Sequence, residues 1–166
     1  MKKSVIGIVE IQTQAEEIVS DLQASGIPSS QISVLFPDKQ GTKDFAHVHN
    51  TKAPEGAIAG VGAGGAIGGT IGLLAGIGAL AIPGVGPLIA AGPLMAALSG
   101  VAAGATIGGV AGALVGLGIP EIEAKTYEGK IRGGNILIAV HTEDSDHEKR
   151  AKQSFDKYKA HDVVVT

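Results

Sequence analysis

The chain has no cysteine and no tryptophan. Without thiols it can form no disulfide framework, thiolate nucleophile or cysteine-held iron–sulfur cluster, and it suits a reducing compartment. Aromatic residues are only 3% of the 166, and the formal net charge is −3. Base-stacking platforms and a basic field are both missing, so nucleic acid is not an expected partner. From Gly56 to Pro120 there is no Asp, Glu, Lys, Arg or His, whereas both flanks are rich in them. The opening MKKSVIGIVE starts with basic residues, but Glu10 ends the apolar run too early for a secretory core.

What is present is small and apolar. Hydrophobic residues make up 45% and glycines number 26, far above an ordinary share. The chain divides into a first flank (1–53), an insertion (54–119) that is uncharged from Gly56 onward, and a second flank (120–166).

In the first flank, Ser4 to Val9 is a β-branched run that predicts a strand. Thr13 and Glu16 have capping-box spacing, and Ala15, Ile18, Val19 and Leu22 share one face of the helix that Gly26 ends. Ile32 to Phe36 predicts a second strand. In the second flank, Pro120 opens a helix with Ala124, Tyr127 and Ile131 on its stripe, up to Gly133 and Gly134. Asn135 to His141 is apolar on both faces, as a central strand is. Ser145 and Glu148 repeat the capping-box spacing before a helix with Ala151, Phe155 and Tyr158 inward, and Val163 to Val165 closes the chain as a strand. The order predicts an α+β fold: a ferredoxin-like split βαβ sandwich, interrupted by the insertion.

Inside the insertion, Gly60, Gly64, Gly68, Gly72 and Gly76 recur every fourth residue, and so do Gly100, Gly104, Gly108, Gly112 and Gly116. Each set lies along one stripe of a helix. Between them, Pro83, Gly84, Gly86, Pro87, Gly92 and Pro93 mark a turn, so the expectation is a long antiparallel helical hairpin. Each glycine costs a helix about 1 kcal/mol relative to alanine, and close backbone packing along the ladders must offset that cost. Arms of about 25 residues would reach roughly 38 Å, enough for a hydrocarbon core of about 30 Å. Lys39, Lys43 and Lys52 before the hairpin, and Lys125, Lys130 and Arg132 after it, fit two ends on the cytoplasmic side of a membrane. Against this, the hairpin lacks Trp or Tyr belts and its turn is apolar; packing against the hairpins of other copies is the alternative that needs no lipid.

Motifs for chemistry are weak. Gly60 to Gly65 satisfies GxGxxG, but no strand signal precedes it and no acid follows until Glu121. No lysine follows as in a Walker loop. His47 and His49, with His141 at a strand end, are the candidate zinc ligands, without a cysteine or acid at diagnostic spacing. Glu143, Asp144 and Asp146 read as a helix-capping turn. With no GxSxG elbow or placed base, no enzyme and no cofactor are expected.

The segments KAPEGA (Lys52 to Ala57), IPGVGPLIAAGPLMAALSG (Ile82 to Gly100) and GALVGLGIPEIEAKTYEGKIRGGNILIAVH (Gly112 to His141), with the opening β-α-β, resemble the bacterial general stress protein family, of the heat-induced type with a glycine-rich insert. The likeness spans nearly the whole chain. It implies a stress-associated, non-enzymatic protein and carries over no catalytic residue. The expectation is therefore a protein that associates with the membrane and with itself through a glycine zipper, on the cytoplasmic side of the inner membrane. The alternatives are a soluble cytoplasmic homo-oligomer with hairpins in its core, and, by fold analogy, a small-ligand sensor.

Overall fold

The computed structural model describes residues 3–37, 78–82, 86–102 and 109–166. The ladder Gly60 to Gly76, the histidines His47 and His49, and Pro83, Gly84, Gly104 and Gly108 lie outside them. The strands are β1 (Lys3–Val9), β2 (Ile32–Pro37), β3 (Gly78–Ile82), β4 (Gly86–Ala91), β5 (Ile136–Thr142) and β6 (His161–Val165). The helices are α1 (Gln12–Ala24), α2 (Pro93–Ala102), α3 (Gly109–Gly116), α4 (Glu121–Arg132) and α5 (Ser145–Lys157), with a 3-10 turn at Ser29–Gln31.

The fold is mixed α+β, built on one sheet with the order β3-β4-β2-β5-β1-β6 and antiparallel neighbours throughout. β5 lies between β1 and β2, the central place its two-sided apolar sequence predicts. Alternation sorts the side chains into two cores. Val5, Val9, Ile32, Val34, Ile138 and Val140 pack beneath α1 and α5, where Ile18, Leu22 and Phe155 are buried. Ile6, Ile8, Leu35, Leu137 and Ala139 face the other way, into a second core with Leu94, Leu98, Leu114, Tyr127 and Ile131 of α2, α3 and α4. The stripes predicted on α1 and α4 are buried as expected.

The insertion departs from its expected form. Its central segment forms an antiparallel β-hairpin, with Leu80 opposite Leu88 and Ile82 opposite Gly86. β4 then pairs with β2, so the hairpin extends the sheet. The reason is local: GALAI and GPLIAA are short apolar runs, which strand and helix compete for until the free edge of β2 decides. Gly86 and Pro87 therefore sit in β4, and Pro93 is the first residue of α2. Gly92 makes the corner at φ 75, where a Cβ would run into the Ile32 carbonyl. Gly100 lies in α2, with Gly112 and Gly116 in α3. These are two short helices packed on each other, not one long arm. Among the described residues, a Cβ at Gly116 would meet nothing within 4 Å, so no close packing against them depends on it.

Both expected capping boxes also differ. α1 starts after Ile11 with no side-chain cap, and Gln12 donates to Glu16 instead. α5 is capped by Asp144, whose Oδ1 accepts from the Asp146 amide at 2.7 Å, while Glu148 accepts from Lys3 and Lys152.

Candidate functional site: a serine–histidine–serine row beside a cleft

Three polar residues interrupt the apolar second face near one end of the sheet. Ser4 shares its parity on β1 with Ile6 and Ile8, Ser33 shares Leu35's on β2, and His141 shares that of Leu137 and Ala139 on β5. Ser4 and His141 are direct cross-strand partners. Ser4 Oγ lies 2.9 Å from His141 Nδ1, and Ser33 Oγ lies 2.9 Å from Nε2. The amide of Leu94, in the first turn of α2, donates to Ser33 Oγ at 3.0 Å. Ser33 is fully buried and Ser4 is 5% exposed.

Counting protons orients this row. Ser33 receives the Leu94 N–H, and the acceptor within reach of its own hydrogen is His141 Nε2. Either tautomer leaves one serine hydrogen without an acceptor in the row; the one that spares the fully buried Ser33, and leaves that hydrogen on Ser4 at the cleft, carries its proton on Nδ1, which donates to Ser4 Oγ. Burial holds His141 well below the usual histidine range, at about 4, so the ring is neutral at pH 7. In this state His141 gives a hydrogen bond to Ser4 and cannot accept its proton. The row differs from a nucleophile–base pair, where the base must be an acceptor toward the serine.

The row opens onto a cleft of about 930 Å³. Ser4, His141 and Thr142 line it from β1 and β5, and Pro93 and Leu117 add apolar lining. Glu143, Asp144 and His147 lie at the α5 end, where Gln31 Oε1 is 3.2 Å from His147 Nδ1. The Asp146 amide, followed by the charges of His147 and Arg150, holds the Asp144 carboxyl below the ordinary aspartate range. The acidic turn thus does cap α5, and it also borders the cleft.

Compared with family models, with curated proteins and with solved structures, the chain matches none. Among the described residues, no three His, Cys, Asp or Glu residues cluster as metal ligands, and no helix is long and apolar enough to cross a membrane. Of the expected site residues, only His141 lies in this row. Ser4 and Ser33 carry no local motif. The available signal was parity: each is a polar residue on a strand face whose other members are large and apolar.

Proposed function

We propose that the protein is a non-enzymatic, self-associating α+β protein whose uncharged insertion supplies the contact surface between copies. The strand order β2-β5-β1-β6, with α1 and α5 on one face, supports reading that part as a ferredoxin-like split βαβ unit. The resemblance to the general stress protein family supplies the association with stress.

The observation that carries the proposal is the inequality of the two sheet edges. β6 has the features that block edge pairing. Its register with β1 shifts between Ile6 and Ile8, Asp162 sits at φ 51, Lys130 pairs with the Asp162 carboxylate, and the Tyr127 hydroxyl occupies the Asp162 carbonyl at 2.6 Å. β3 has none of these features. GALAI holds no charge and no proline, its register with β4 is unbroken, and no other described strand pairs with it. An edge left unpaired by the described residues, on a sheet whose other edge is guarded, fits a partner, and a second copy is the partner always at hand.

The membrane reading needs an arm that spans. α2 has 10 residues and α3 has 8, about 15 and 12 Å, against a hydrocarbon core of about 30 Å. Both are engaged in the second core, which favours protein packing over lipid for this half of the insertion.

The test is light scattering on protein prepared without detergent, with flotation on a lipid gradient beside it. The expected result is a uniform, lipid-free particle larger than one chain, which Ala79→Lys in β3 converts to monomer without loss of helix signal. A monomeric wild type, or flotation with lipid, would overturn the proposal.

A further inference from the structure

The cleft at the end of β1 and β5 has the chemistry of a binding site, and we infer that it takes a small organic cation with an apolar body and a hydrogen-bond-accepting carbonyl. Three features specify that class.

The first is a spare donor. In the proton arrangement set by Ser33, the Ser4 hydroxyl receives a hydrogen bond from His141 Nδ1. Its own hydrogen then has no acceptor among the described side chains. Ser4 is 95% buried, so this donor is largely removed from bulk water, and it lies on the cleft wall. A stranded hydroxyl hydrogen at a cavity wall asks for an acceptor, and a carbonyl oxygen is the neutral group that fits. An ammonium group alone, which has no lone pair, would not satisfy it.

The second feature is charge. The described residues lining the cleft include the carboxylates of Glu143 and Asp144 and no lysine or arginine. His141 adds no positive charge at pH 7. An anion would therefore meet two carboxylates and no lining lysine or arginine, whereas an ammonium group would meet both carboxylates, of which Asp144 already has His147 and Arg150 as positive neighbours.

The third is shape. Pro93 and Leu117 give the lining an apolar part beside its polar groups, and about 930 Å³ lies within the range of small-molecule sites. A ligand here would bury its body against Pro93 and Leu117 and place its carbonyl at Ser4.

Phenylalaninamide carries all three features, and 3-phenylpropanoate keeps the ring while reversing the charge. Each would be titrated into isotope-labelled full-length protein, with amide shifts followed by NMR. The expected result is saturable shifts at Ser4, His141 and Thr142 with phenylalaninamide and none with 3-phenylpropanoate. Ser4→Ala should weaken binding roughly fivefold, the worth of one ordinary hydrogen bond. Glu143→Gln, at an exposed position, should weaken it severalfold and reduce its salt dependence, which covers the case in which Ser4→Ala disturbs the fold. Absence of saturable shifts, equal binding of the anion, or an affinity unchanged in both variants would overturn the inference.

Discussion

His141 sits neutral between two hydroxyls, and that placement ties stability to pH. Its folded pKa, about 4, is below the unfolded value of about 6.5. The neutral form is thus favoured by folding: its contribution is complete above pH 6.5 and is lost as pH falls toward 4. Between pH 7 and pH 5 the loss should be about 2 kcal/mol in urea unfolding, and His141→Asn should flatten that interval. The carboxylates with lowered pKa values, Asp21, Asp144 and Glu148 among them, act only below this window. Gly92 is the second residue with a testable burden. Gly92→Ala forces a Cβ toward the Ile32 carbonyl at a positive φ, so a loss of roughly 3 kcal/mol is expected in the same assay. Neither role was readable from neighbouring residues. His141 stood out as a strand-end histidine, but its partners come from β1 and β2, distant in sequence, and sheet pairing alone brings them together.

Among the elements, the insertion's helices show how an uncharged segment is anchored. Helix starts need side-chain acceptors, and the described part of the insertion has no carboxylate to offer. Both helices use acceptors from the flanks. Ser33 of β2 takes the Leu94 amide of α2, and Glu128 of α4 takes the Ala111 amide of α3 at 2.8 Å while its other oxygen holds Arg132. Glu128→Ala should therefore lower stability by about 1 kcal/mol through a helix that Glu128 does not belong to. Leu114→Ala, in the second core, should cost about 3 kcal/mol and lower a single cooperative transition; a separate transition for the insertion would contradict the shared core. The flanking elements were legible because their apolar stripes meet only one possible surface. The insertion was less so: glycine every fourth residue has helical period, yet GALAI and GPLIAA have no polar face to declare a period, and tertiary pairing with β2 settles them.

For the whole molecule, the second face decides how the chain divides. Ile6, Ile8, Leu35 and Leu137 are covered by α2 and α3 together with α4. Excising residues 54–119 and joining the flanks should leave those side chains exposed, with a poorly dispersed NMR spectrum and aggregation in place of a folded remainder. The contrast between β3 and β6 has one more consequence. Growth of a filament by sheet extension requires every subunit to offer two different sticky ends, and here one end is closed by its own bulge and ion pair. In the proposed association, pairing of β3 with β3 would use up the adhesive end of both partners at once, around a two-fold axis. Such a reaction would stop at two chains, a mass of twice 16.6 kDa, with concentration setting only the share of dimer.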